Sequence, residues 1–242
     1  MKKVAFLFSF ILFSFFALNA QGKNISWDYP VKPGSAKWQQ FKSIDEMHEA
    51  CQIPEDILKK LSTESLVQIC ADYPAYFDLF IYNTPQAGFE SYYSHFNGIR
   101  KLLSRKDVGH FMLKKYASMS LTKDFNSKWE LKKQGEFVYK QEYFEILLAQ
   151  PQVIQSLNSE DRKLLLKEAI KKFDEKQTRG DLFGGSTLAV NAWILGRIPY
   201  EEGKLLTEFS KKSDVELSLN SGQMMDYNFE TIYQQAKSFI NE

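Results

Sequence analysis

The chain has only three histidines, His48, His95 and His110, and they are the first residues to consider for catalysis or metal binding. His48 and Cys51 are three residues apart on one face of a predicted helix, a spacing that two metal ligands can use. Zinc sites need three or four ligands, and no third ligand stands at a recognisable spacing. The same helix face is apolar, so we interpret His48 as a hydrogen-bonded core histidine and predict no metal and no cofactor.

The carboxylates and the glycine-rich segments suggest no catalytic centre. The acidic pairs at residues 160–161 and 201–202 stand where helices are predicted to begin, and there acidic side chains complement the helix dipole. Gly184 and Gly185 precede a predicted helix and could present backbone N–H groups to an anion. The simpler interpretation is a turn followed by a cap from Ser186 or Thr187. Hydrolase, nucleotide-binding and metalloprotease motifs are absent from the sequence, so we assign no catalytic residue.

The strongest charge asymmetry lies in residues 97–135, which contain ten basic and three acidic residues, a local balance of +7. Basic side chains there flank apolar ones, which is typical of a surface that binds an anionic lipid headgroup, an acidic glycan or an acidic protein face. A solvated helix face is the alternative. The candidate binding residues are Arg100, Lys101, Arg105, Lys106, Lys114 and Lys115.

The N-terminus predicts export. Lys2 and Lys3 precede an apolar stretch too short to span a membrane, and a small residue, Ala20, precedes Gln21. We therefore expect residues 1–20 to be a cleaved signal peptide and the protein to be periplasmic or secreted. An uncleaved N-terminal anchor is the alternative. No later stretch is long and apolar enough to span a membrane, so at most peripheral membrane contact is expected.

The rest of the chain, residues 21–242, is predicted to be one all-α domain. Apolar residues recur at helical spacing in segment after segment, and prolines and glycines separate these segments. Residues 188–195 are apolar on almost every side, which predicts a buried helix. Only in residues 215–219 do apolar and polar side chains alternate as in a β-strand. We expect irregularly stacked helical hairpins, as in armadillo or HEAT arrays, preceded by an extended arm at residues 22–42.

The chain has two cysteines, Cys51 and Cys70, each on a predicted inward-facing stripe. Two cysteines in an oxidising compartment tend to pair, so we expect a disulfide between them. The alternative is two buried thiols that serve as small apolar core residues.

Two segments resemble a family of secreted, mainly helical proteins of Bacteroidetes-type bacteria. They are Trp-Asp-Tyr-Pro-Val-Lys-Pro-Gly at residues 27–34 and Cys-Gln-Ile-Pro-Glu at residues 51–55. The resemblance implies an exported location and no particular activity.

Composition and motifs together favour a non-enzymatic function. The formal net charge of +1 argues against a general nucleic-acid binder. The 15% aromatic content suggests that aromatic side chains fill much of the core or line a groove. We expect an envelope or secreted helical scaffold that binds a protein or an anionic envelope partner through an aromatic and basic surface. The alternatives are a glycan hydrolase or lyase with paired carboxylates, and a carrier of a lipid or small ligand.

Overall fold

The computed structural model describes residues 27–204, 212–224 and 226–240; the predicted signal peptide lies outside them. Within these ranges the chain is helical and forms no β-strand, so the all-α prediction is confirmed. Two 3-10 helices, Trp38–Gln40 and Tyr76–Ile81, accompany the α-helices. The α-helices are α1 Ile44–Ala50, α2 Glu55–Leu58, α3 Thr63–Ala71, α4 Pro85–His95, α5 Asn97–Leu103, α6 Val108–Ser118, α7 Leu131–Leu148, α8 Pro151–Gln155, α9 Ser159–Thr178, α10 Gly185–Glu201, α11 Lys212–Ser221 and α12 Asp226–Ile240.

Side-chain caps begin several of these helices. Ser43 accepts a hydrogen bond from the backbone N–H of Glu46 and so starts α1, as its sequence pattern predicts. From the sequence, Thr63 and Ser159 are predicted to cap α3 and α9. In the structure the caps fall one residue earlier, on Ser62 and Asn158. The helix after the two glycines, α10, begins without a side-chain cap. The strand-like residues 215–219 belong to α11.

The centre of the C-terminal half is α10, which packs against α7, α8, α9, α11 and α12. Trp193, Ile194 and Leu195 on this helix are fully enclosed, which confirms the predicted buried helix. The N-terminal half is built around α3, which packs against α5 and α6. One continuous apolar cluster joins the two halves, from Tyr29 to Phe239. An armadillo- or HEAT-like arrangement of these helices stays a prediction.

Two tyrosine hydroxyls satisfy the carbonyl groups at the end of α3. The last four carbonyls of a helix lack an intrahelical partner. The Tyr29 hydroxyl donates to the carbonyl oxygen of Ile69 at 2.8 Å, and the Tyr143 hydroxyl donates to that of Cys70 at 2.7 Å. These bonds tie the segment before α1 and the middle of α7 to the same helix end.

A glycine on α4 lets the 3-10 helix Tyr76–Ile81 approach closely. A Cβ atom placed on Gly88 would lie 2.1 Å from the carbonyl oxygen of Leu79, which is far inside van der Waals contact. Because the clashing atom belongs to the backbone, the clash could be relieved only by moving one of the two elements. Gly88 therefore sets the position of the whole 3-10 helix.

The predicted disulfide between Cys51 and Cys70 is not formed, and this prediction was wrong. Both cysteines are free, buried and members of the apolar core, and their side chains are not close to each other. A disulfide needs Cα atoms within about 7 Å and side chains that point together. Helical periodicity shows only that each thiol faces inward, and here each fills its own part of the core.

No helix among the described residues is long and apolar enough to cross a membrane.

We expect both thiols to be inert in the folded protein. Burial raises the pKa of the Cys51 thiol to about 12, and burial raises the pKa of Cys70 further, so neither forms the reactive thiolate near neutral pH. Alkylation should therefore be slow under native conditions and should label two cysteines per chain after unfolding without a reductant. Mass spectrometry gives the count, and a mass corresponding to an unlabelled, linked pair would contradict this expectation.

Candidate functional site

The described surface contains an open cleft of about 390 Å³ between the segment before α1, the 3-10 helix Tyr76–Ile81 and α7. Its apolar wall consists of Tyr29, Tyr73, Tyr76 and Phe77. This volume lies within the usual range of small-ligand sites, and aromatic walls are typical of them. We call this site the aromatic cleft.

The wall of the cleft continues outward as a strip of three rings, Phe77, Phe80 and Tyr139, which we call the aromatic ridge. Phe77 and Tyr139 are exposed, and Phe80 is partly buried between them and the core. Tyr139 of α7 lies with its ring centre 5.4 Å from that of Phe77 and 5.1 Å from that of Phe80, both edge-to-face. Phe77 is 42% exposed and Tyr139 is 43% exposed. Rings of this size left in water next to a cleft are typical of surfaces that bind a partner.

Charged side chains of both signs border the aromatic cleft. Lys32 forms a 2.6 Å ion pair with Asp28, and this hydrogen bond lowers the pKa of the Asp28 carboxyl. Lys140 of α7 places its ammonium group 5.9 Å from the centre of the Tyr76 ring. Asp72 and Glu136 complete the acidic side. The charged side chains at the border of the cleft can therefore donate and accept hydrogen bonds next to its apolar wall.

The chain matches no protein-family model, no curated protein and no solved structure.

The structure places the six sequence-predicted basic residues away from the lining of the aromatic cleft, and four of them bind other parts of the protein. Arg100 donates to the carbonyl oxygens of Tyr93 and Ser94 at the end of α4. Arg105 donates to the carbonyl oxygen of Leu61.

The two lysines on α6 have side-chain partners on α3. Lys114 pairs with Glu64 at 2.7 Å, and Lys115 donates to the side-chain oxygen of Gln68 at 3.0 Å. Lys101 and Lys106 have no side-chain partner among the described residues. Binding of an anionic partner by these six residues stays a prediction.

An ion pair between Glu145 of α7 and Lys176 of α9 is fully enclosed by the fold. The Lys176 ammonium lies 2.5 Å from Glu145 Oε2, with side chains 0% and 1% exposed. Tyr116 and Asn191 donate to Glu145 Oε1 at 2.8 and 2.9 Å. Lys176 also donates to the carbonyl oxygen of Thr187 at 3.0 Å. Because solvent and substrate do not reach this ion pair, its role is to join α6, α7, α9 and α10.

Two further charged groups flank this ion pair. Lys172 donates to the carbonyl oxygen of Met119, and burial lowers the pKa of its ammonium group. Burial raises the pKa of the Glu142 carboxyl to about 7; Lys176 opposes this rise and Glu145 adds to it. Glu142 therefore titrates near neutral pH, well above the usual range of a carboxyl group.

Sequence reasoning did not find this buried network or the charged rim of the cleft. A signal for the network was present, because Glu145 interrupts an apolar run on α7 and Asn191 stands within the buried run of α10. A polar residue inside such a run needs a buried partner. No comparable signal pointed to Lys32, Glu136 or Lys140, which come together only through the fold.

We expect Lys176→Met to reduce the free energy of unfolding by about 3–5 kcal/mol, because it leaves the Glu145 carboxylate buried without its counterion. Adding Glu145→Gln should restore part of this loss, since the amide oxygen can still accept hydrogen bonds and no charge remains. Chemical denaturation measures both changes. Lys163→Met alters an exposed lysine on the same helix and should change stability by less than about 0.5 kcal/mol. Equal losses for Lys163→Met and Lys176→Met would contradict a central role for the pair.

We expect Glu142→Gln to stabilise the protein increasingly as the pH rises. The folded-state pKa of Glu142, about 7, is raised, so the unfolded chain loses this proton first and stability falls between the ordinary value of 4.5 and about 7. The advantage of the variant should grow by about 2 kcal/mol between about pH 5 and about pH 8. Denaturation at both pH values measures it. The exposed Glu49→Gln is the matched control, and an advantage for Glu142→Gln that is the same at both pH values would contradict the assignment.

Proposed function

We propose that the protein is an exported, non-enzymatic binding protein of the cell envelope that holds a segment of a protein partner in the aromatic cleft. The helices serve as a scaffold of stacked hairpins, and residues 28–33, which lie within the predicted arm, supply one side of the cleft. The observation that carries the proposal is the continuity of the cleft with the exposed aromatic ridge.

The chemistry of the cleft suits a polypeptide. Aromatic side chains dominate the binding energy of protein interfaces because they bury a large area at a small cost in side-chain entropy. The cleft presents lysines and carboxylates on the same rim, so backbone carbonyl and N–H groups of a bound segment would each find a partner. A rim of mixed charge also favours a partner without strong net charge over a polyanion.

The rival candidate is a glycan hydrolase, because three carboxylates, those of Asp28, Asp72 and Glu136, line the same cleft. A general acid must hold its proton near neutral pH, which requires a raised pKa. The pKa of Asp28 is lowered by its bond to Lys32. The ion pair therefore makes Asp28 unsuitable as the acid, so a hydrolase would have to use Asp72 or Glu136 instead.

Site-specific photo-crosslinking in the native envelope tests the proposal. A crosslinker at position 77 or 139 should capture one defined protein. A crosslinker at Leu164, which is 45% exposed on α9, is the matched control and should not capture it. With the captured protein purified, Phe77→Ala and Tyr139→Ala should each weaken binding about tenfold or more in calorimetry, the loss expected for a central aromatic residue.

Two results decide between the candidates, and a third serves as a control for folding. Equal capture at positions 77 and 164 would contradict the proposed binding surface. Glycan cleavage by the purified protein that is lost in Glu136→Gln would support the hydrolase instead. Unchanged thermal unfolding of Phe77→Ala and Tyr139→Ala would show that their loss of binding does not arise from misfolding.

A further inference from the structure

Two of the three histidines, the buried His48 and the exposed His95, lie side by side together with the exposed Asp45. Asp45 and His48 lie one turn apart on α1, and His95 is the last residue of α4. The two imidazole rings have centres 4.9 Å apart. One nitrogen of each ring and one carboxylate oxygen of Asp45 all lie within 4.8 Å of one another. Ligand atoms around a tetrahedral zinc ion are about 3.4 Å apart, so small rotations of the exposed Asp45 and His95 would bring all three to one ion.

In each imidazole ring, one nitrogen lies within hydrogen-bond distance of an oxygen acceptor. His48 Nε2 lies 2.8 Å from Asp78 Oδ2, and His95 Nδ1 lies 2.8 Å from the carbonyl oxygen of Ser91. Carboxylate and carbonyl oxygens can only accept, which assigns the proton to these two nitrogens. The Ser94 hydroxyl also lies 3.0 Å from His95 Nδ1, but it donates to the carbonyl oxygen of Ser91. The lone pairs of neutral His48 Nδ1 and His95 Nε2 are then available to a metal. Metal-binding histidines in proteins usually have such outer acceptors.

The free nitrogen of His48 has no hydrogen-bond partner in the described part of the chain. His48 is 6% exposed, and its Nδ1 atom is buried without a partner. Leaving a buried polar atom unpaired costs free energy, so such an atom needs an explanation. A bound cation next to Nδ1 would supply the missing interaction.

A hydrogen-bonded link holds the two histidine-bearing helices at a fixed distance. The side-chain amide of Gln52 donates to the carbonyl oxygens of both His48 and His95, at 2.7 and 2.6 Å. Its oxygen accepts from the backbone N–H of Asn97 at 3.1 Å. Gln52 therefore positions the two ligand-bearing residues before any ion binds, which lowers the entropic cost of binding.

We infer that Asp45, His48 and His95 form a zinc site with three protein ligands and at least one position open to water. Two imidazoles and one carboxylate are a ligand set that zinc prefers and that leaves an open position in hydrolytic enzymes. Cys51, the residue whose spacing from His48 suggests a metal pair, is not among the clustered donors. The site shares no residue with the aromatic cleft and does not depend on the function proposed for it.

Zinc titration of the mature full-length protein, first stripped with a chelator, tests the inference. Calorimetry should show one Zn²⁺ per chain, with a higher melting temperature in the bound state. His95→Gln and Asp45→Asn should each weaken zinc binding at least about tenfold. Asp78→Ala removes the outer acceptor of His48 and should weaken binding about 10- to 100-fold.

His110→Gln is the matched control. His110 is an exposed histidine 3.4 Å from Asp161 and outside the cluster, so this variant should bind zinc as the unaltered protein does. Equal melting temperatures without zinc would show that His95→Gln and Asp45→Asn fold normally. Absence of stoichiometric binding, or equal affinity of His95→Gln and His110→Gln, would overturn the inference. Binding that survives His95→Gln but is lost in Cys51→Ala would assign the ion to Cys51 and would also overturn the inference.

Discussion

The fold depends on one buried ion pair, between Glu145 and Lys176. Removing two charges from water is costly, and the cost is met only where every donor and acceptor is placed accurately. Here the partners come from α6, α7, α9 and α10, so the network ties these four helices together at one place in the core. The pair also anchors α7. Its C-terminal half, residues 141–148, is buried on all sides, and its N-terminal half therefore extends to the surface and presents Tyr139 and Lys140 at the cleft.

The opposite wall of the cleft is held by hydrogen bonds to a helix end. The hydroxyls of Tyr29 and Tyr143 bind neighbouring carbonyl oxygens in the last turn of α3. The C-terminal end of α3 thus joins two other elements, the segment that precedes α1 and helix α7. Because both sides of the cleft are fixed by buried hydrogen bonds, its shape is set before any partner binds. Such preorganisation reduces the conformational entropy lost on binding.

The sequence predicted what depends on local periodicity and missed what depends on contacts between distant segments. Helical stripes identify the all-α fold and the buried α10, because each stripe is a property of one segment. Caps were misplaced by one residue where two adjacent polar side chains, such as Ser62 and Thr63, can each serve. The network around Glu145 depends on residues 31 positions apart, since Lys176 is its counterion. The cysteine prediction failed for the same reason: inward orientation is local, whereas thiol separation is tertiary.

In the N-terminal half, several polar side chains of the two sites lie at or near helix ends, because most core positions along the helices are apolar. His95 ends α4, Asp72 caps the end of α3, and Asp78 lies on the 3-10 helix that Gly88 draws against α4. This 3-10 helix also carries Tyr76 and Phe77, so it presents one side chain to His48 and two to the aromatic cleft. A displacement of this helix would move both groups at once. The approach permitted by Gly88 therefore gives the histidine cluster and the cleft a common structural support, although they share no residue.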